Sequence, residues 1–459
     1  MPGPRPDDGN PVTRALNGIF SDYLAKRGSA AGGFDRDVRD PAIILNAAAD
    51  RGLIPAGDRV ITVTGSKGKG TVARAAAQAL LGLTARDADA FGAPRRHSPD
   101  DGPGTGRVGL IVSPNEVTQT DRLRLDGVPI ADDDFLTAYR SLEPDLDRLR
   151  RALPPSRYLS PFGAFLLIGL QWFRDIGTDW VVLEGGRGAA FDEVGRIPAR
   201  VSIVTTVAPE HREQLGPTLA DIARDKLAIA ETAGLCLLGP DMPEILERVG
   251  VALPPNALTF DPAWVDPADT GLPRWLAVDR ALGRRAAALL AAPGPAGNLL
   301  SADPSIAGRP LPPHSAGSFG ITELTLGQKG PTVELVYDAT GRPEALDTIW
   351  YQRKRKGWRN PVVIACLSDQ KDPDGMTDLL TSIGLPTYFV ILSDAAMHGF
   401  ARIREQWPER IVATIDYDDE GAVRRTIERL VAAGNHDAVV CLGIQPFIRL
   451  VRRLTGAAT

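Results

Sequence analysis

Asp58-Arg-Val-Ile-Thr-Val-Thr-Gly-Ser-Lys-Gly-Lys-Gly-Thr-Val-Ala-Arg-Ala-Ala-Ala-Gln-Ala-Leu80 is the stretch on which the reading of this chain turns. Val60 to Thr64 is a short run with β-branched residues, as a strand buried in a parallel sheet requires. Gly65-Ser-Lys-Gly-Lys-Gly70 is too glycine-rich for either regular element, and from Thr71 the alanines and Leu80 favour a helix. Strand, glycine loop, Lys-Gly-Thr and helix follow one another as in a phosphate-binding loop. Its glycines let backbone N–H groups turn toward phosphate oxygens, and the helix N-terminus adds partial positive charge. Gly65, Ser66, Lys67, Gly68, Lys69, Gly70 and Thr71 are thus expected to cradle a nucleotide. Lys69 would reach its β- and γ-phosphates, and the Thr71 hydroxyl would sit on Mg²⁺. A plain glycine turn between strand and helix is the alternative.

Working outward, 459 residues predict two or three domains, each with its own core. The net charge of −5, with acids and bases interspersed, argues against nucleic acid and anionic membrane as partners. The basic run Arg353-Lys-Arg-Lys-Gly-Trp-Arg359 reads as a solvated loop. No apolar stretch is long enough to span a bilayer. The opening MPGPRPDDGNP is polar and lacks a signal-peptide core. Cys236, Cys366 and Cys441 are far apart without metal-ligand spacing, so they are expected as buried free thiols in a reducing cytoplasm.

Helical periodicity covers Arg14–Lys26, Pro41–Arg51, Asp132–Leu153, Pro161–Phe173 and Arg280–Leu290. Residues 85–106, rich in Asp, Gly, Pro and Arg, read as a mobile surface insertion rather than a packed element. Val108–Val112 is a second strand, ending in Ser113-Pro-Asn115. Trp180-Val-Val-Leu-Glu-Gly-Gly-Arg-Gly188 is a third, delivering Glu184 at its carboxyl end, where ligands bind in open parallel sheets. A carboxylate there, beside a nucleotide loop, is a natural Mg²⁺ ligand. Val201–Thr206 is another strand. It is followed by Glu210-His211 and then Leu215-Gly-Pro-Thr-Leu-Ala-Asp-Ile-Ala-Arg-Asp-Lys226. A core or capping histidine and a solvated helix lysine are the alternatives for His211 and Lys226. Beyond the Pro- and Gly-rich 291–318, strands at Thr332–Tyr337, Pro361–Leu367, Thr387–Leu392, Ile411–Ile415 and Ala438–Leu442 alternate with helical segments. That is the rhythm of a second parallel sheet.

Gly65-x-x-Gly-Lys-Gly-Thr71 is shorter than the standard loop, and a glycine separates its lysine from its hydroxyl residue. It resembles the loop of the Mur ligase superfamily, most closely that of the folylpolyglutamate synthase and dihydrofolate synthase branch. The segment Glu210-His211 to Lys226 resembles that family's Asp-His, Leu-Gly-x-Thr, Ile-Ala-x-Glu-Lys pattern, with two acids exchanged conservatively. Asp338-Ala-Thr-Gly-Arg-Pro-Glu344 and Ser368-Asp-Gln-Lys-Asp372 resemble two family segments of the second domain, and the likeness is strongest over 58–230. It implies an α/β fold with a P-loop-containing Mur-ligase-type domain and a smaller Rossmann-like domain. The corresponding division is 1–300, a linker region at 301–318, and 319–459.

The same resemblance implies an ATP-dependent ligase that joins a small-molecule carboxylate to an amino acid or other amine through an acyl phosphate. It implies about two Mg²⁺ ions, held by Thr71, Ser113, Glu184, His211 and a carbamylated Lys226. Lys69, His211 and Lys226 take catalytic roles, Asp338 and Arg342 bind nucleotide, and Arg187 and Asp192 hold substrate or a loop. The expected protein is a cytoplasmic monomer or small homo-oligomer. Departures cluster elsewhere. Asn115 replaces a histidine and Gly163 a glutamate. Asp279 replaces an adenine-contacting asparagine, Ser315 an arginine, and Gly341-Arg342 a His-Asn pair. A degenerate homologue that binds nucleotide or a partner without ligating is therefore the second reading, and a plain P-loop ATPase or kinase the third.

Overall fold

The computed structural model describes residues 9–30, 33–90, 106–113, 115, 118–292, 319–327, 330–339, 349, 353, 355–369, 373–393, 399–416 and 419–454. The chain divides into two compact units, one formed by Pro2–Leu272 with Leu276–Ser315, the other by Pro273–Trp275 with Ala316–Thr459. The expected linker 301–318, with Ser315, and the pair Gly341-Arg342 lie outside the described residues, as does His97.

In the first unit the strands are β1 (Val60–Thr64), β2 (Val108–Ile111), β3 (Leu123–Leu125), β4 (Val128–Pro129), β5 (Trp180–Glu184), β6 (Ala199–Val204), β7 (Ala233–Leu238) and β8 (Ala257–Thr259). They form one sheet in the order β4-β3-β2-β5-β1-β6-β7-β8. The six strands from β2 to β8 run parallel, and β3 and β4 add an antiparallel hairpin at one edge. All of β1 and β2 is buried, which explains their unbroken apolar character.

Helices cover the faces: α1 (Pro11–Ala30), α2 (Asp35–Val38), α3 (Pro41–Asp50), α4 (Lys69–Ala90), α5 (Asp132–Ala152), α6 (Pro161–Ile176), α7 (Arg212–Leu215), α8 (Leu219–Leu227), α9 (Met242–Val249) and α10 (Arg274–Ala291). One core gathers α1, α3, α5 and α6 around Phe135, Phe165 and Phe173; another packs α4 and α10 on the sheet through Leu80, Leu282 and Leu289. The expected insertion at 85–106 needs correction at its start. Helix α4 continues through Ala85-Arg-Asp-Ala-Asp-Ala90, since its alanines and arginine are good helix formers. Residues 91–105 lie outside the described residues.

The second unit holds β9 (Phe319–Thr325), β10 (Thr332–Asp338), β11 (Pro361–Cys366), β12 (Thr387–Leu392), β13 (Ile411–Ile415) and β14 (Ala438–Gly443) in the order β13-β12-β11-β14-β10-β9. Strands β10 to β14 pair in parallel, and β9, which the sequence pattern did not announce, pairs antiparallel with β10. The five strands that it did announce are present within a residue of their expected ends. The basic run is not simply a solvated loop: Arg353, Arg355 and Lys356 are helical, Trp358 is buried, and Glu334 binds both Lys356 Nζ and Trp358 Nε1 at 2.6 Å. All three cysteines are free and buried.

Candidate active site

Four neighbouring strands end at one level. In register, Val63 lies beside Glu184, Thr64 beside Val204, and Ile111 beside Leu183. Thus Ser113, Glu184, Gly65 and Thr205 follow one another across the carboxyl edge of β2, β5, β1 and β6. The chain leaves β1 for β2 on one side and later reaches β6 on the other, so β1 ends at a switch point of the sheet.

The loop after β1 is tied to β6. Ser66 N–H donates to the Thr206 carbonyl at 2.8 Å, Ala208 N–H donates to Ser66 Oγ at 2.9 Å, and Thr205 Oγ1 donates to the Lys67 carbonyl. Gly65 at φ +139° and Gly68 at φ +79° adopt backbone that other residues rarely tolerate. The helix starts at Lys69, two residues before the expected Thr71, and Val72 N–H already donates to the Gly68 carbonyl at 2.9 Å. Lys69 Nζ donates to the Gly65 carbonyl at 2.9 Å, curling over the loop it is expected to serve. Fixed turns, a helix N-terminus and an ammonium group are what a polyphosphate needs.

Glu184 is 3% exposed, and among the described residues it accepts one hydrogen bond, from Ser113 N–H to Oε2 at 2.8 Å. Ser113 thus meets it through its backbone. A Cβ on Gly70 would lie 3.3 Å from Glu184 Oε2, which places this carboxylate against the residue before Thr71. Burial pushes the Glu184 carboxyl up to about 7, against the opposing pull of Lys69, the Ser113 N–H, Arg74 and Arg122. A buried carboxylate with one hydrogen bond suits a cation. Glu184, set against Gly70 just before Thr71, is therefore a donor suited to Mg²⁺. Among the described residues no group of three or more His, Cys, Asp or Glu side chains is arranged as a metal site by itself.

Lys226 is 1% exposed, and its ammonium lies 3.1 Å from Glu210 Oε1. Burial lowers its pKa, the nearby Lys69 lowers it further, and Glu210 opposes both. Since Lys69 acts on Glu184 as well, one ammonium influences both flanks of the site. A solvated helix face for Lys226 is excluded by its burial. His211 is exposed and opens α7 with a left-handed backbone, φ +47°. The core alternative for His211 thus fails, and no side-chain cap is formed there. Helix α8 presents Lys226 because it begins with a reciprocal cap: Thr218 Oγ1 accepts from Asp221 N–H at 3.1 Å, and Asp221 Oδ2 accepts from Thr218 N–H at 3.1 Å. Thr218→Ala is expected to cost about 1 kcal/mol in urea unfolding, with Lys226 less firmly held.

Arg187 and Asp192 are both engaged by neighbouring groups. Arg187 binds Asp35 through Nε at 2.9 Å and through Nη2. Asp192, fully buried, accepts from the N–H groups of Gly186 at 3.1 Å, Arg187 at 3.3 Å and Val194 at 3.1 Å, so it holds the glycine loop after Glu184. Between them sits Arg39, 6% exposed, with Nη2 3.2 Å from Asp192 and 3.0 Å from Glu193. Sequence reasoning missed Asp35, Arg39 and Glu193. The first two lie in Asp35-Arg-Asp-Val-Arg-Asp40, whose charge density reads as surface. The Gly163 departure also finds its reason here: a Cβ at 163 would lie 2.6 Å from Glu193 Oε1. A carboxylate from position 193 fills the space that a side chain at 163 would need.

Asp338, an expected nucleotide contact, is fully buried at the carboxyl end of β10 in the second unit. Asp279 lies on α10 in the first unit, and its carboxylate meets Gly68 of the loop.

No family model matches the chain. Over 203 residues it is 26% identical to the dihydrofolate synthase/folylpolyglutamate synthase of Escherichia coli (strain K12), a match covering 44% of this chain and 41% of that enzyme. A solved Mycobacterium tuberculosis folylpolyglutamate synthase complexed with ADP superposes with a TM-score of 0.64 over 96% of this chain and 99% of that one, at 18% identity. A bifunctional folylpolyglutamate synthase/dihydrofolate synthase with Mn, AMPPNP and L-glutamate bound gives 0.61 over 90% and 94%, at 19% identity. The curated relatives and solved neighbours that the chain resembles include folylpolyglutamate synthases. The structural likeness establishes the fold: the α/β organisation of folylpolyglutamate synthases, with a P-loop sheet and a second, smaller one. The sequence match, by contrast, spans less than half of the Escherichia coli enzyme. No helix among the described residues is long and apolar enough to cross a membrane.

Proposed function

We propose that the chain is an ATP-dependent ligase joining a small-molecule carboxylate to an amine, with an amino acid such as glutamate as the natural donor. The observation that carries this reading is the common edge of the first sheet. The glycine loop stands between buried Glu184 on one side and buried Lys226, paired with half-buried Glu210, on the other, with Lys69 acting on both.

A carboxylate is a poor electrophile. Transfer of the γ-phosphoryl group converts one carboxylate oxygen into a leaving group; the amine then attacks the acyl carbon, phosphate departs, and the amine nitrogen gives up a proton. The first step brings two anions together, so it needs fixed positive charge. Lys69 and the loop N–H groups supply that charge and orient the phosphates. Mg²⁺, when bound, adds charge neutralisation along the polyphosphate. Thr71, Ser113 and Glu184 would hold one ion, and His211 with Lys226 a second. Carbamylation suits Lys226, because burial favours its neutral, nucleophilic form, and the carbamate turns a cation into an anionic ligand. Asp338 and Arg342 are read as nucleotide contacts. The relatives crystallised with ADP, and with Mn, AMPPNP and L-glutamate, support the nucleotide, the divalent metal and the amino acid. The protein is read as a cytoplasmic monomer or small homo-oligomer that does not engage nucleic acid.

The test is ADP and phosphate release with Mg·ATP and bicarbonate across a panel of carboxylates and amino acids. Wild type is expected to turn over only with both co-substrates, and Lys69→Ala to fall by a factor of roughly 100 or more. Turnover without any amine would instead mean an ATPase or kinase. Silence across the panel with ATP still bound would mean a degenerate homologue.

A further inference from the structure

One peptide group, shared by Gly188 and Ala189, joins two parts of the site. Its carbonyl accepts from Thr64 Oγ1 at 2.9 Å, and its N–H donates to Asp225 Oδ1 at 2.8 Å. Thr64 is the buried last residue of β1, directly before the glycine loop. Asp225 stands directly before Lys226 on α8. The C=O and N–H of a trans peptide point in opposite directions, so this rigid plane separates the two side chains and holds both. Gly188 has a left-handed backbone, φ +73°, and a Cβ there would run into Asp225 Oδ1, so the carboxylate lies directly on it. Apolar packing supports the contact, since Ala189 is buried in one cluster with Ile222, Ala223 and Leu227 of α8. The same loop is tied to β1 nearer Glu184 too, where Gly185 N–H donates to the Val63 carbonyl at 2.8 Å.

We propose that Asp225 is a positioning residue: through the Gly188–Ala189 peptide it fixes α8, and with it Lys226, against the end of β1 where the glycine loop begins. This inference rests on the ligase reading of the site, and goes beyond it by naming what sets the distance between the site's two flanks. A reacting group displaced by about an ångström loses rate steeply. Loss of the tie therefore falls on turnover, while nucleotide affinity is kept by the separate turns that Ser66, Thr205 and Ala208 make. Asp225→Ala removes the acceptor, and Asp225→Asn keeps an acceptor oxygen but removes the charge. Thr64→Val removes the hydroxyl at the other end of the tie and keeps its shape.

The experiment measures kcat and KM with Mg·ATP, bicarbonate and the fastest carboxylate–amino acid pair of the panel, beside the Kd for Mg·ATP by titration. It compares wild type, the three variants and the Thr64→Val/Asp225→Ala double variant, with circular dichroism and urea unfolding to check that each folds. Asp225→Ala is expected to lower kcat roughly 10- to 100-fold with the Kd within about threefold of wild type, and Asp225→Asn to restore kcat to within about threefold. Thr64→Val, which leaves α8 untouched, is expected to lower kcat about tenfold at unchanged Kd. Because both ends hold one peptide, the double variant is expected to lose no more than about twofold beyond Asp225→Ala. Equal loss in the alanine and asparagine variants overturns the proposal and assigns the effect to the charge beside Lys226. Losses that multiply in the double variant overturn it as well, since the two residues then act independently. Wild-type kcat in either Asp225→Ala or Thr64→Val overturns this inference alone. Wild type that ligates nothing across the panel overturns the ligase reading and this inference with it.

Discussion

Replacing Lys226 by methionine is expected to abolish ligation, with kcat down by at least about 10³, while the Kd for Mg·ATP changes less than about threefold. The asymmetry follows from where the lysine sits. Its ammonium is buried beside Glu210 at the start of the α7–α8 segment, whereas the turns that define the loop are made by Ser66, Thr205 and Ala208. Methionine keeps most of the packed length and removes the nitrogen. Lys226→Arg separates two explanations, since it preserves the charge opposite Glu210 but cannot form a carbamate. If the carbamate matters, both variants are dead, and the wild type loses rate in bicarbonate-free buffer and recovers it on bicarbonate addition. If only the cation matters, the arginine variant retains activity and bicarbonate has no effect. A methionine variant that ligates at the wild-type rate would remove Lys226 from the site altogether. Nucleotide binding and denaturant unfolding, measured alongside, keep a folding defect from passing as a chemical one.

Arg39→Met is expected to lower the stability of the first unit by roughly 3–5 kcal/mol. Arg39 stands among three buried carboxylates: 3.2 Å from Asp192, 3.0 Å from Glu193 and 3.6 Å from Asp35. Pairing of this kind adds little net stability over apolar packing, because each charge gives up its water. Removing one partner is different: it leaves the other charges desolvated and unopposed. The three acids raise the Arg39 pKa well above its ordinary value against the effect of burial, and burial pushes the Glu193 carboxyl up to about 7. Arg187 already engages Asp35, so the loss falls mainly on Asp192 and Glu193. Adding Glu193→Gln to Arg39→Met should therefore recover part of the loss, and urea unfolding of both variants beside the wild type measures it. A single variant within about 1 kcal/mol of wild type would show that the cluster is hydrated and contributes little. Since Asp192 also holds the N–H groups of Gly186 and Arg187, the same substitution is expected to loosen the loop after Glu184 and lower activity before it unfolds the unit.

Much of the fold was legible in the chain because the signals were local. Val60–Thr64, Trp180–Glu184 and the five parallel strands of the second sheet are apolar, β-branched runs between turn residues, and each formed a strand. Strand β9 escaped notice because it pairs with β10 at an edge and only three of its seven residues are buried, which leaves no continuous apolar run. The start of the supposed insertion was misjudged because composition was averaged over a window in which 85–90 hold three alanines and an arginine, good helix formers, while the remainder is rich in Gly and Pro.

Residue identity and spacing by themselves determined the glycine loop after β1, the carboxylate at the end of β5, and the lysine at the end of α8. Each needs only a short element to present it, and each carries its chemistry in its own side chain. Tertiary structure alone decided what surrounds them. Burial separates Lys226 from an ordinary surface lysine, and Glu184 from an ordinary surface glutamate. It gathers Asp35, Arg39, Asp192 and Glu193 from stretches more than 150 residues apart. It also sets Glu193 where Gly163 leaves room, and Asp279 against Gly68, although 211 positions separate that last pair in the chain (279 − 68). Electrostatic energy depends on distance in space and on access of water, and neither is written in the order of residues.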